Sequence, residues 1–203
     1  SAASDVYKRQ IYDHAKKNGF GSLDAPVSGG VIGADAGTLT FMCGGDKESF
    51  EKAKPILQGM GKNIVHCGSG GLGQATKICN NMLAGINALA AAEAMTMGER
   101  LGVSPDILYE VISTSTGRSY IFETSNPMPD VCSTSPANNK FKPGFMAKLM
   151  LKDLRLSQAA AQDAKTSTPL GAAATAAFQQ LIDSGFGDLD TSSIIKVIKP
   201  ESK

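Results

Sequence analysis

Residues 68–101 read GSGGLGQATKICNNMLAGINALAAAEAMTMGERL, a glycine-rich entry that opens into a long stretch without proline and is followed by Gly102. Proline breaks helix interiors, and a glycine just past the end closes a helix. The stretch therefore predicts one long helix, around which the rest of the chain must organise. Lys77 and Asn81 are four residues apart, so they share one face of it. From Lys77 to Glu93 there is no other charge. Lysine is seldom fully buried without a partner. Lys77 is thus either a stem lying along apolar surface with its head in water, or a cation held for chemistry. Spacing alone favours neither. Asn87 and Glu93 interrupt the apolar run, which is rich in alanine, so the helix is read as packed inside protein and not as a membrane span.

The chain has 203 residues, enough for one large or two small domains. A net charge of +1 gives no footprint for nucleic acid or acidic lipid. Hydrophobic residues at 42% beside 19% charged fit a globular protein. Cys43, Cys67, Cys79 and Cys132 form no CxxC and no metal spacing, which points to a reducing compartment. His14 and His66 are the only histidines, so a histidine-rich metal site is excluded and no metal is expected.

The first ten residues, SAASDVYKRQ, resemble the translation of a sequencing adaptor and are expected to be an unpacked artefact. On that reading the evolved sequence enters near Ile11, already inside a fold, and an earlier segment is missing. From there the chain alternates. Residues 11–20 carry a helical pattern ending at Gly19, and residues 21–30 give a short strand stopped by Pro26 and then a turn. Residues 38–45 are a β-rich run. Asp46 is the expected N-cap of a helix that Pro55 is expected to kink or break, and residues 62–68 are the next strand. Alternating strands and helices predict parallel pairing. After Gly73 the pattern is helical only. Ser104-Pro105-Asp106 and Thr168-Pro169 are helix starts. Residues 120–144, with four prolines and no period, form a structured connection, and helical patterns return over 145–165 and 190–199. The expected fold class is α/β followed by all-α, with a partial nucleotide-binding domain over 11–72 and an all-helical domain over 73–203.

Gly68, Gly70 and Gly73 spell G-x-G-x-x-G between a predicted strand and a helix. The dinucleotide fingerprint also needs an acidic residue at the end of a second strand. Glu93 has the spacing but lies inside the long helix, so the string is read as a flexible, closely packed inter-domain entry whose helix N-terminus faces a ligand. Ser28, Gly29 and Gly30 offer a hydroxyl and unshielded backbone N–H groups, either as an anion-binding nest or as an ordinary turn. Lys152-Asp153 reads as a solvated charge pair or as a functional polar spot.

Taken together, DAPVSGG, GGLGQATKICNN and LMLKDLRLSQA, in that order and separation, resemble the β-hydroxyacid dehydrogenases. The resemblance covers residues 24–198 and includes STGRS, NPMP and SPANN. KICNN after GxGQA, with SGG, favours the branch that oxidises 3-hydroxyisobutyrate. A tartronate semialdehyde reductase-like enzyme is the alternative, and Tyr120 stands where the 3-hydroxyisobutyrate branch is expected to carry tryptophan.

The resemblance implies a C-terminal remnant of a Rossmann domain, a long inter-domain helix and an all-helical domain. It implies hydride transfer from the CH–OH of 3-hydroxyisobutyrate to NAD in valine degradation, with NADP left open because the deciding residues are not in the chain. Carried over, Lys77 is the catalytic lysine and Asn81 orients the substrate. Ser28, Gly29 and Gly30 hold its carboxylate, while Lys152 and Phe145 face the cofactor. It further implies a homo-oligomer formed through the helical domain, and a mitochondrial matrix location in a eukaryote or a cytoplasmic one otherwise. For the chain taken alone, the expectation is no measurable NAD binding and no activity. A function of another class, a non-catalytic truncated oligomerisation domain, stands beside the enzyme reading.

Overall fold

A computed structural model describes residues 10–15 and 17–199. The expectation for the first ten residues falls, from 1 to 9, outside the described residues. The chain divides into two compact units, Ser1–Asn80 and Asn81–Lys203.

In the first unit, residues 10–15 are helical, and Gly19 at φ 75° follows them. Three strands, β1 (Val27–Ser28), β2 (Leu39–Gly44) and β3 (Gly61–Gly68), form a sheet in that order. Helix α1 (Gly30–Asp35) joins β1 to β2, and α2 (Lys47–Leu57) joins β2 to β3. The expected parallel pairing holds for β2 and β3, whereas β1 and β2 are antiparallel. The connection over residues 29–38 is shorter than the dozen or so residues a parallel crossover needs. The short strand falls after Pro26 and not before it. Pro26 has no N–H to give, but its carbonyl accepts from Met42 N at 2.9 Å, which keeps the proline at the sheet margin. Asp24 makes an isolated antiparallel bridge to Gly44.

Asp46 caps α2 as the sequence predicts, accepting from Ser49 N and Ser49 Oγ, each at 2.8 Å. The helix runs through Pro55 without a break. A small core of Phe41, Cys43 and Phe50, flanked by Leu23, Val27, Leu39, Leu57 and Ile64, lies under the sheet. His66 stacks on Phe50 with ring centroids 4.8 Å apart, and its Nε2 sits 2.8 Å from the Gly45 carbonyl. Those contacts account for His66 as a packed ring. Burial, and then the neighbouring Cys67 and Asp24, push the Cys43 thiol up from its ordinary pKa, which keeps it protonated and unreactive.

The long helix α3 (Leu72–Arg100) starts in the first unit and ends in the second, with Gly102 at φ 91° just beyond it. The second unit adds α4 (Pro105–Thr114), α5 (Tyr120–Thr124), α6 (Ala147–Asp163), α7 (Pro169–Asp183) and α8 (Ile195–Ile198), with 3₁₀ turns at Pro136–Asn139 and Thr191–Ile194. Ala88, Ala91, Ala92 and Met95 of α3 share a buried core with Met150, Leu154, Ala174, Phe178, Leu181 and Ile194. Small residues let the helices approach closely. A Cβ on Gly85 would sit 2.9 Å from Leu154 Cδ2.

Ser104 and Thr168 hold the N-cap positions with proline next, but neither side chain caps a backbone N–H. Thr168 Oγ1 instead donates to Gln158 Oε1 at 3.2 Å. The proline-rich connection is ordered by polar ties. Asn126 is fully buried, donates to Phe122 O at 3.2 Å and accepts from Met128 N at 3.1 Å, while Ser135 Oγ donates to Asn126 O. Among the described residues no helix is long and apolar enough to cross a membrane.

Candidate active site

The candidate residues of the first unit gather where β1 runs out. Ser28, half-buried, pairs with Thr40 of β2. Gly29 and Gly30 follow at φ 130° and 60°, conformations that L side chains rarely adopt. A Cβ on Gly29 would also press on Leu39 Cδ2 at 3.1 Å. The turn leads directly into the six-residue α1, for which the sequence patterns give no helix. Lys77, half-buried on α3, donates from Nζ to the carbonyl of Val27, one residue before Ser28. The ammonium and the Ser-Gly-Gly turn are thus brought together within one unit.

The glycines of the G-x-G-x-x-G string serve packing. A Cβ on Gly70 would lie 2.8 Å from the Tyr12 ring, and one on Gly73 would run into the Met42 carbonyl oxygen. The helix N-terminus behind them is already occupied by an anion of the chain itself. Asp24 Oδ1 accepts from Gly71 N at 2.6 Å, and Asp24 Oδ2 accepts from Gln74 N at 2.8 Å. Among the described residues no strand follows α3, and Pro105–Thr114 is the next element. These glycines therefore do not fit a pyrophosphate, as their sequence context predicts, but the expectation that the helix N-terminus faces a ligand is corrected, because the Asp24 carboxylate takes its N–H groups.

In the second unit Asn81 is buried, 5% exposed, and donates from Nδ2 to Asp153 Oδ2 at 2.6 Å. Asp153 Oδ1 lies 3.1 Å from Lys152 Nζ. One carboxylate therefore links Asn81 of α3 to Lys152 of α6. With Nδ2 committed, the orientation of the Asn81 amide is set. The Lys152 side chain is 62% exposed and that of Asp153 only 15%. Lys152-Asp153 is thus more than a solvated pair. Asp153 is the partner of the buried Asn81 amide, a contact that singling out Lys152-Asp153 as a polar spot does not give; the available signal was the asparagine in an apolar helix, since a buried amide needs a partner.

Phe145 belongs to a different network. Its N–H and that of Gly144 each donate to Asp190 Oδ2 at 3.0 Å, and its carbonyl accepts from Thr191 N at 2.9 Å. Asp190 is buried and satisfied further by Ser192 N at 2.9 Å and Ser192 Oγ at 2.8 Å. Phe145 packs against the helical core. Tyr120 opens α5 and is strongly exposed. No group of three or more His, Cys, Asp or Glu able to hold a metal exists among the described residues, and the four cysteines are free.

Chemically, an ammonium beside a hydroxyl and a glycine turn can hold an oxyanion or a carboxylate, and a fixed amide can orient a hydroxyl. Sequence comparison gives these groups a context. Residues 71–198 match the profile described as NAD-binding of NADP-dependent 3-hydroxyisobutyrate dehydrogenase, and residues 1–68 match the NAD binding domain of 6-phosphogluconate dehydrogenase. The second match includes the ten N-terminal residues. The chain is similar to an NAD-dependent L-serine dehydrogenase of Pseudomonas aeruginosa, 44% identical over 200 residues, covering 98% of this chain and 67% of that protein. It is also similar to the mitochondrial 3-hydroxyisobutyrate dehydrogenase of Drosophila melanogaster, 43% identical, covering 88% of this chain and 55% of that one. Among solved structures, Mycobacterium tuberculosis 3-hydroxyisobutyrate dehydrogenase with L-serine superposes with a TM-score of 0.90 at 42% identity, covering 96% of this chain and 67% of that chain. The α/β part followed by an all-helical part has its counterpart in that structure, and the chain belongs to the 3-hydroxyisobutyrate dehydrogenase family of NAD-linked oxidoreductases.

Proposed function

We propose that the full-length protein oxidises the primary alcohol of 3-hydroxyisobutyrate to methylmalonate semialdehyde, with NAD as hydride acceptor. The observation that carries this reading is the Lys77 ammonium on the Val27 carbonyl, at the entrance to Ser28-Gly29-Gly30. The Ser28 hydroxyl and the N–H groups of Gly29 and Gly30 bind the substrate carboxylate. Lys77 stabilises negative charge developing on the reacting oxygen and takes part in moving its proton. A lysine ammonium carries three N–H donors, which makes it a good partner for such an oxygen. Asn81, its amide held by Asp153, fixes the angle at which the substrate hydroxyl lies. When bound, NAD supplies the nicotinamide that accepts the hydride. Lys152 and Phe145 are the residues of this chain that would face it, the one an exposed cation anchored by Asp153, the other an aromatic ring held on the helical core. The proposed domain boundary lies between residues 72 and 73, at the start of α3, eight residues before the point where the two compact units divide.

A second substrate, L-serine, is favoured by the names of the Pseudomonas relative and the mycobacterial structure. Both substrates are small 3-hydroxy acids and would use the same residues. The proposed assembly is a homo-oligomer through the helical unit. The proposed location is the mitochondrial matrix if the source is eukaryotic, in line with the mitochondrial relatives.

The test is Lys77→Ala in the full-length protein. Loss of one oxyanion-stabilising donor costs about 10²–10³ in kcat, so a fall of at least about a hundredfold is expected. The melting temperature should barely change, because alanine is the better helix former. Near-wild-type kcat with an unchanged melting temperature would refute the assignment. Lys77→Arg keeps the charge on a wider, planar head, so activity retained there would assign the lysine to electrostatics over proton transfer.

A further inference from the structure

Asp24 lies three residues before Val27, the residue whose carbonyl receives Lys77, and four before Ser28. Its main chain is tied to β2 on both sides, since Asp24 N donates to Gly44 O at 3.0 Å and Gly44 N to Asp24 O at 2.8 Å. Its side chain reaches 47 and 50 residues along the chain, to Gly71 N and Gln74 N at the first turn of α3. One residue therefore fastens the strand that carries the Ser-Gly-Gly turn to the helix that carries Lys77. Each carboxylate oxygen takes one N–H that the helix start leaves without an intrahelical partner, and its charge suits the positive end of the helix.

The surroundings leave the carboxylate no freedom. A Cβ on Gly44 would collide with Asp24 Oδ1 and lie 2.7 Å from Gly73 N, and one on Gly73 would lie 2.7 Å from Asp24 Oδ2. Two glycines on two elements thus open the space in which the carboxylate meets the helix. Lys77 sits one turn beyond Gln74, close enough that any slip or fraying of the first turn moves the ammonium.

We propose that Asp24 is a positioning residue for Lys77. By holding the first turn of α3 on the β1 segment, it sets the distance between the Lys77 ammonium and the turn that takes the substrate carboxylate. The proposal rests on the catalytic reading of Lys77 and adds the residue on which that reading depends.

Asp24→Asn is the discriminating change. It keeps the shape but offers one acceptor oxygen where two N–H groups converge, and its NH₂ opposes the second. In the full-length enzyme, kcat falls by about tenfold to a hundredfold, the scale of a small misplacement of a reacting group. The KM for the hydroxy acid rises while that for NAD stays unchanged. Amide exchange at Gly71 and Gln74 speeds up by at least about tenfold, as expected for a lost charge-assisted hydrogen bond. The sharper measurement is a double-mutant cycle. In the Lys77→Ala background, Asp24→Asn lowers kcat by less than about twofold, because a group acting through Lys77 has nothing left to position. Equal fractional losses in the two backgrounds overturn the proposal, and so does unchanged kcat in a variant with faster exchange and a lower melting temperature. Unchanged kcat in Lys77→Ala alone overturns the catalytic reading and the proposal with it. If Asp24→Asn does not fold, Gln74→Pro removes one of the two donors and leaves the carboxylate in place. Proline is tolerated in a first turn, and Gly73 before it has no Cβ to meet the ring. A smaller fall in kcat, again absent in the Lys77→Ala background, supports the proposal, and additivity there overturns it.

Discussion

The two compact units hold their candidate residues by different means. In the first, among the described residues, Phe41, Cys43 and Phe50 form the buried apolar cluster, and the candidate segments are tied by backbone and carboxylate hydrogen bonds at glycines. In the second, fifteen buried apolar side chains among the described residues make one core, and the candidate residues Asn81 and Lys152 are mounted on helices of that unit. Hydrogen bonds are directional, so the first arrangement fixes positions sharply while burying little surface. Apolar packing supplies most of the folding free energy and tolerates volume-conserving change. The difference separates sites where substitutions should damage geometry from sites where they should damage stability.

The largest stability effect is therefore expected in the helical unit. Phe178 is fully buried on α7, in the same core as Met95 of α3 and Ile194 near the C-terminus. Phe178→Ala should cost about 3–5 kcal/mol, a large part of the total stability of about 5–15 kcal/mol typical of a domain. Urea unfolding followed by far-UV circular dichroism measures it. A cost near that of a surface substitution would show that the core of the second unit is looser than its burial implies and would erase the contrast between the units.

A smaller effect of another kind is expected at Gly73. An added Cβ meets the backbone carbonyl oxygen of Met42, which cannot swing aside as a flexible side chain would. Gly73→Ala lowers the unfolded-state entropy and improves helix propensity, but the overpacking should win, at about 1–3 kcal/mol. Exchange of the Gln74 amide sharpens the comparison. Accelerated exchange there identifies the strain with the clamp on the helix start, whereas stabilisation would mean that the α3 entry has room to shift.

These contrasts also explain what the sequence reveals. The long helix is legible because no proline interrupts residues 68–101 and Gly102 closes it. Strands β2 and β3 and the Asp46 cap are legible because their signals are local. Helix α1 is not, since two of its six residues, Gly30 and Gly33, are the poorest helix formers after proline. The antiparallel pairing of β1 is hidden for the same reason, because it follows from the length of a connection that reads as loop. Lys77, Asn81 and the Ser-Gly-Gly turn stand out by composition and by family motif. Asp24 and Asp153 stand inside those motifs, yet their partners lie 47 to 72 residues away, and no periodicity reports such a contact. Residues that do chemistry are unusual in their neighbourhood, whereas residues that position them are ordinary carboxylates until the fold brings their donors.

The smallest effect concerns a carboxylate that does locally what Asp24 does at a distance. The backbone N–H of Ser49, and then its hydroxyl, hold the Asp46 carboxyl below its usual range. Both partners lie three residues on and the site is exposed. A folded-state pKa below the unfolded value of about 3.9 means that the charged cap favours the folded state at all pH above that value. This contribution is lost as the pH falls through the lower folded value, and nothing changes between neutrality and about pH 5. Asp46→Asn is the reference, since asparagine also caps helices but carries no charge. Melting temperatures of the two proteins should differ slightly and constantly at neutral pH and converge as the solution is acidified below the ordinary aspartate range. A gap that persists at the lowest pH would mean that the carboxylate charge contributes nothing there. It would leave hydrogen-bond geometry as the whole of the effect and would argue that the first turn of α3, held by the same kind of bond, also depends on geometry more than on charge.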